Sequence, residues 1–391
     1  MNKFMYEEKI GSDFIPGNHV DLIASGEPFF DQLLKMINET KKTIHVYAYI
    51  ISDDSTGVMV IDNLIEACKR GVKVFMMADG YASRKINDQL LFRMKRSGID
   101  FRFFNPLLSI PYIYLGRRMH HKVIVSDNSQ AMVGGLNIAD RYNDMPNQKA
   151  WLDFAILVKG PVVNELSGYC KLIWDGQIDK HQLSIQNIKS MKNEGDSYVR
   201  IRRNDWLFRK KEITATYEEM FTTAKKEIII LCSYFIPGVK IRQMISGATS
   251  RGVRVIVIAA GISDVPITKY AERWLYDWMF RNNVEIYEYQ NNVLHGKLAL
   301  CDETWITIGS YNLNNISAYA SVELNVDVKN EKKAHEIKKW ILGIMQKDCM
   351  IVTIEKHRNG KNIFSQLLMW CSYQFIRVTL NCFTIFFPKK F

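Results

Sequence analysis

His120-His-Lys122-Val-Ile-Val-Ser-Asp127, followed after six residues by Gly134-Gly135-Leu-Asn137, has a counterpart in His295-Gly-Lys297-Leu-Ala-Leu-Cys-Asp302, followed after six residues by Gly309-Ser310-Tyr-Asn312. Both read H-x-K-x4-D-x6-G-[GS]-x-N. One match to a spaced pattern carries modest weight; two in one chain are not coincidence. Residues two apart on a strand share a face, which sets His120 beside Lys122 and His295 beside Lys297. The apolar run after each lysine reads as buried strand, and Asp127-Asn-Ser-Gln130 as a turn. A four-residue turn would bring the chain back with Lys122 facing Gly135, His120 facing Asn137 and His295 facing Asn312.

An imidazole, an ammonium and an amide around one point suit a phosphodiester. Lysine and asparagine can hold its non-bridging oxygens, and a histidine can attack phosphorus. No carboxylate cluster or His/Cys ligand set is visible, and a lysine beside the histidine repels a cation, so neither a metal nor another cofactor is expected. The plain alternative is two hairpins that each carry a partly buried histidine. Repetition of the whole pattern argues against it.

Outward from the motifs, strands alternate with helices, which points to an α/β fold. The first half reads as a strand at 20–24, a helix at 28–40, a strand at 44–51, a helix at 58–70, a strand at 72–78, a helix at 88–97 and a strand at 99–104. The second half repeats the scheme: Lys225-Lys226-Glu-Ile-Ile-Ile-Leu echoes Lys41-Lys42-Thr-Ile-His-Val-Tyr, and Arg251-Gly-Val-Arg-Val echoes Arg70-Gly-Val-Lys-Val. The unit is too long for a solenoid repeat. Two duplicated α/β/α halves are therefore expected at 1–178 and 197–355, joined by a polar linker at 179–196 and followed by an apolar tail at 356–391. A pseudo-twofold arrangement would place both motifs at one interface.

The chain has 391 residues, 47% hydrophobic and 24% charged, as for a globular protein with two sizeable cores. A net charge of +11 favours a polyanionic partner, either nucleic acid or an anionic membrane surface. The seven cysteines are scattered, which suits reduced thiols and a cytoplasmic setting. No signal peptide is read at the amino terminus, and no run of eighteen uncharged apolar residues marks a spanning helix.

With these motifs the chain resembles the phospholipase D superfamily, whose paired H-x-K-x4-D motifs would be carried by His120, Lys122, Asp127 and by His295, Lys297, Asp302. Within it, Arg118-Met-His120-His-Lys122, Gly134-Gly-Leu-Asn137 and Ser233-Tyr-Phe-Ile-Pro237-Gly238 resemble the bacterial cardiolipin synthases, in particular the short B type without amino-terminal transmembrane helices. The resemblance spans roughly residues 16 to 350. It implies a phosphatidyltransferase that makes cardiolipin and glycerol from two phosphatidylglycerol molecules through a covalent phosphatidyl-histidine, with nucleic acid an unlikely substrate. It further implies that Asp153 and Glu323 orient the histidines, and places the protein at the cytoplasmic face of a bacterial membrane, peripheral or held by its tail. The oligomeric state is not readable. A phospholipase or nuclease would use the same residues with water as acceptor.

Around the site, Asn137, Asn312, Gly135 and Ser310 are candidates to hold the phosphate. Asp127 and Asp302 belong to the motif's catalytic set, although their place at the turn suits bracing better than proton transfer. The apolar loop 105–116 ends in Arg117 and Arg118, which could hold a lipid headgroup; an ordinary packed loop is equally consistent. These arginines should also favour a neutral His120 and make it the nucleophile, an assignment the superfamily resemblance supports, with His295 as acid and then base. The aromatic tail from Ile363 on, with basic residues before and after it, suits a membrane interface; a helix packed on the body is the alternative.

Overall fold

Seven strands in each half line up in the same order. The computed structural model describes residues 13–106, 108–109, 112–113, 117–177, 192–208, 210–319, 321–359 and 362–386. In the first half these strands are β1 Ile15–Ala24, β2 Thr43–Ala48, β3 Lys73–Asp79, β4 Ile99–Phe104, β5 Lys122–Ser126, β6 Gln130–Gly134 and β7 Phe154–Lys159. In the second they are β8 Ser197–Asp205, β9 Glu227–Cys232, β10 Arg254–Ile262, β11 Val284–Val293, β12 Lys297–Cys301, β13 Trp305–Gly309 and β14 Ser321–Lys329. Pairing runs β4–β3–β2–β5–β6–β7–β1 in one sheet and β11–β10–β9–β12–β13–β14–β8 in the other. The first three strands of each sheet are parallel and the rest antiparallel. The two sheets also touch edge to edge, through β1 and β8.

Alternation along the strands builds three layers of core. Val123, Val125, Leu298 and Leu300 face a shared interior, together with the helices Val162–Trp174 and Glu331–Asp348. Ile124 and Val46 turn outward under the helices Glu27–Glu39, Ser55–Lys69 and Asp88–Arg96. Ala299 and Ile230 do the same under Glu212–Thr223 and Val239–Ser250. Parallel strands covered on both faces need continuous apolar runs such as Ile228-Ile-Ile-Leu231, all buried here. Helix starts follow local chemistry: Asp54, Asn87 and Asn330 each accept from a backbone N–H three residues on.

The motif hairpins differ from expectation by one residue. Ser126 pairs with Gln130 and Lys122 with Gly134, so the loop has three residues and Lys122 does not face Gly135. Ser129 N–H donates to Ser126 O, and Asp127 and Asn128 between them have φ of 49° and 56°, a turn with two left-handed centres. Aspartate and asparagine tolerate that backbone better than most residues. Asp302 and Glu303 take the same conformation in the second hairpin, where Cys301 pairs with Trp305. The facing of His120 with Asn137, and of His295 with Asn312, falls with the four-residue turn.

The halves interlock rather than abut. Arg118-Met119 runs parallel to Ser321-Val322 of β14, and Leu152 bridges Leu294 in the same sense. His120 and His121 donate their backbone N–H groups to Val322 O, while His295 and Gly296 donate theirs to Leu152 O. Each motif therefore hangs from the other half, one residue before that half's candidate acid.

The helix Ile363–Phe386 packs on the helix Pro266–Trp274, burying Met369, Ser372 and Ile376. Its other face exposes Ile363, Phe364, Leu367, Trp370, Phe375 and Val378. No helix among the described residues is long and apolar enough to cross a membrane. The apolar loop at 107 and 110–111 and 114–116, and most of the linker (178–191), lie outside the described residues.

Candidate active site

His295 and both motif lysines lie buried at the seam between the halves, and His120 lies there partly exposed. His120 Nδ1 lies 2.9 Å from Glu323 Oε2, and His295 Nδ1 lies 2.6 Å from Asp153 Oδ2. Each acid comes from the opposite half, because Val322 and Leu152 deliver the histidine backbone to the strand that carries it. Both carboxylates are fully buried, and the histidine side chains are 17% and 8% exposed. A carboxylate on Nδ1 fixes that nitrogen as the N–H and leaves Nε2 with a lone pair.

Lys122 donates to His120 O at 2.5 Å, and its ammonium sits 5.2 Å from the centre of the Tyr49 ring. Lys297 donates to His295 O and to Ser233 Oγ, the latter at 2.9 Å. Two buried ammonium groups close together disfavour each other. Burial, and then Lys297, bring Lys122 down to about 7, against the pull of Glu323 and Asp153. Burial likewise lowers Lys297. Burial raises Asp153 to about 6, although both lysines oppose the shift. His120 is held below the usual imidazole range by burial, with Lys122 adding to it and Glu323 opposing. His295 is held well below it by burial, then Lys297 and Lys122. Each histidine feels the lysine of the other half, so the motifs form one site.

Both imidazoles are therefore neutral near pH 7. An anionic phosphodiester would reverse the balance by stabilising the lysine charges and a proton on one imidazole. We predict a narrow kcat/KM profile. As pH falls through about 6, Asp153 takes a proton and no longer balances an imidazolium; as pH rises through about 7, Lys122 loses the charge that attracts phosphate. The profile of kcat should reach further into alkali, because bound phosphate holds the lysine proton. A kcat/KM profile that is flat from about pH 5 to about pH 8.5 would contradict this.

Several sequence candidates sit elsewhere. Asp127 accepts from the backbone N–H groups of Lys41, Lys42 and Thr43, and Asp302 from those of Lys225, Lys226 and Glu227. A five-residue strand separates each from its lysine, roughly 16 Å at strand rise. Both tie a hairpin to β2 or β9 and belong outside the catalytic set. Ser310 donates to Glu323 Oε2 at 2.5 Å, which makes it a brace for the acid rather than a phosphate ligand. Gly135, at the matching position, leaves room for Asp153: a Cβ there would lie 2.3 Å from its Oδ1. Asn137 accepts from Ile50 N–H and donates to Tyr142 Oη at 2.8 Å. Asn312 Oδ1 lies 3.1 Å from Ser233 Oγ.

The two arginines also correct the expectation. Arg117 forms a two-pronged ion pair with Asp205 and lies over the rings of Phe104 and Phe208. Arg118 pairs with buried Asp79, which also accepts from Met119 N–H. Both are engaged by carboxylates of the fold, and the positive charges that depress the histidines are those of the lysines. His295 is no easier to protonate than His120, so the arginine argument for assigning their roles fails. Tyr49, Tyr142 and Ser233 line the site and were missed. Ser233 lies in a stretch quoted only for its resemblance, and nothing in the spacing marks the tyrosines.

Residues 33–165 and 217–345 match the family described as cardiolipin synthase, PLD-like domain, once in each half. The chain belongs to that family. It is 30% identical over 370 residues to cardiolipin synthase B of Escherichia coli strain K12, covering 92% of this chain and 88% of that protein. It is 26% identical to a probable cardiolipin synthase of Bacillus subtilis, over 79% of this chain and 62% of that one. Phosphatidylserine synthase of Haemophilus influenzae shares the fold, with a TM-score of 0.76 and 13% identity over 97% of this chain and 98% of its own. The duplicated α/β architecture read from the sequence is thus that of the phospholipase D superfamily.

Proposed function

We propose that the protein is a phosphatidyltransferase that joins two phosphatidylglycerol molecules into cardiolipin with release of glycerol. The observation that carries the reading is the pair of histidines at the seam, each with Nδ1 on a carboxylate and Nε2 left to other partners, beside two lysines. One histidine attacks phosphorus and forms a phosphatidyl-histidine; the other protonates the leaving glycerol and then deprotonates the incoming lipid hydroxyl. Lys122 and Lys297 stabilise charge on the non-bridging oxygens. Removing one such donor costs about a hundred- to a thousandfold in rate.

A lipid rather than a soluble substrate is favoured by the surroundings. Asp264, bonded to Tyr234 Oη, is close enough to influence His295 and Lys297. The segment that follows exposes Val265, Ile267 and Tyr270, and the C-terminal helix packs against it with its own apolar face outward. Exposed apolar residues thus stand on the segment after Asp264 and on the helix packed against it, and Lys356, Arg358 and Arg377 belong to the same C-terminal stretch, a combination that suits the anionic cytoplasmic leaflet of a bacterial membrane.

Purified protein should convert phosphatidylglycerol alone to cardiolipin and glycerol with a chelator present. Phosphatidic acid as the sole product would make it a hydrolase. The surface is tested separately. Removing the tail after Arg358 would strip cover from the helix Pro266–Trp274, so point charges are the cleaner probe. Phe364→Glu with Trp370→Glu should weaken binding to phosphatidylglycerol vesicles by tenfold or more and leave the melting temperature unchanged. Unaltered vesicle binding would remove this face from the membrane contact.

A further inference from the structure

The two half-sites share histidine, lysine and asparagine, yet their histidines meet different neighbours. Tyr142 Oη lies 3.5 Å from His295 Nε2, the nitrogen that Asp153 leaves free. The two rings meet edge to face, with centres 5.2 Å apart. Asn137 Nδ2 donates to the same hydroxyl at 2.8 Å, so the phenol hydrogen is directed away from the amide. Burial raises the Tyr142 phenol well above its usual range, which keeps that hydrogen in place.

Among the described residues the second half offers no equivalent. Five residues beyond Asn312, where Tyr142 stands beyond Asn137, is Ser317, whose hydroxyl accepts from Asn312 N–H. His120 instead meets the edge of the Tyr49 ring, with centres 4.9 Å apart, and is the more exposed of the two. Just past the end of β9, at the place that matches Tyr49 just past β2, stands Ser233, which serves Lys297.

We propose that Tyr142 is a positioning residue that occupies the free nitrogen of His295 and so commits that histidine to proton transfer, leaving His120 as the nucleophile. The proposal rests on the phosphatidyl-transfer reading and deepens it by distinguishing two histidines that the duplicated motif makes alike. A hydroxyl donating to Nε2 ties up the lone pair that would otherwise attack phosphorus. In the first step the Nε2 lone pair of His120 forms the P–N bond as the P–O bond to the leaving alcohol breaks. The proton on His295 Nε2 passes to that alcohol oxygen, and the phenol hydrogen then turns to the vacated lone pair. In the second step the acceptor hydroxyl gives its proton to His295 and its oxygen bonds to phosphorus. The P–N bond breaks and its electron pair returns to His120.

The test follows the covalent intermediate. Tyr142→Phe removes only the hydroxyl, and an unchanged melting temperature shows that the fold is kept. With the hydroxyl gone the His295 Nε2 lone pair is free to attack phosphorus. Acid-labile label from phosphatidyl-labelled phosphatidyl-p-nitrophenol, whose leaving group needs no proton, should therefore be absent from His120→Ala and appear on His295 when His120→Ala is combined with Tyr142→Phe. Label on His295 in both proteins, or in neither, overturns the proposal. The label is read before any acceptor enters, so a protein that forms it but makes no cardiolipin would overturn the lipid-acceptor reading and still decide the role of Tyr142.

Discussion

His120→Ala should lower phosphatidylglycerol turnover by roughly 10⁴- to 10⁶-fold, the range for removing a group on which a covalent mechanism depends. That is a loss of about 5 to 8 kcal/mol in transition-state stabilisation. The imidazole is held for this work rather than for the fold: its backbone N–H reaches Val322 O and survives the substitution. Stability should therefore change little, since the lost side chain is partly exposed and leaves Glu323 with Ser310 Oγ as a partner. Acid-labile label from a phosphatidyl-labelled substrate should vanish in His120→Ala and persist, though slowly formed, in His295→Ala. Label that persists on His295 in the His120→Ala protein would reverse the two roles while leaving a two-histidine mechanism in place.

The fold was legible because its signals are repeated and local. Ile99–Phe104 has the ends its composition predicts, and the helices expected at 28–40, 58–70 and 88–97 lie within three residues of those seen, whereas the helix Val162–Trp174 carries no reading. Strand β1 was read short, because Ile15-Pro-Gly-Asn gives no alternation and earns its place through pairing with Val199 and Ser197. The hairpin register was misjudged by one residue, since composition marks a turn but does not say how many of its residues are left-handed. The site was legible only in part. Spacing along one strand reveals what shares a face, hence His120 with Lys122, but not what approaches from another strand. The crossed acids, the Tyr142 hydroxyl and the pairing of Arg117 with Asp205 all depend on packing between the halves, with partners many residues away.

The crossed acids also say why the chain must carry two halves. Neither half supplies the carboxylate for its own motif histidine: Asp153 serves His295, and Glu323 serves His120. Docking of the halves and assembly of the catalytic groups are the same event. A half unfolded from its partner would hold a histidine with no anchor for Nδ1 and a buried acid with no counter-charge.

Asp153→Asn tests that coupling, with an expected loss of about 10³- to 10⁴-fold in kcat, the scale on which an amide in place of a histidine-orienting carboxylate disrupts catalysis. The amide keeps the volume, so Gly135 still accommodates it and Phe154 N–H can still donate to its oxygen. What it lacks is the charge that balances an imidazolium on His295, and so the step that needs a protonated His295 should suffer most. The substitution should also interact strongly with His295→Ala: residues acting as one unit are non-additive, so the double variant should be little worse than His295→Ala alone. Combined with Glu323→Gln, on the other histidine, its effect should compound instead. Additive losses with His295→Ala would show that Asp153 acts through something other than the ring it touches, and the cross-half assignment would fall.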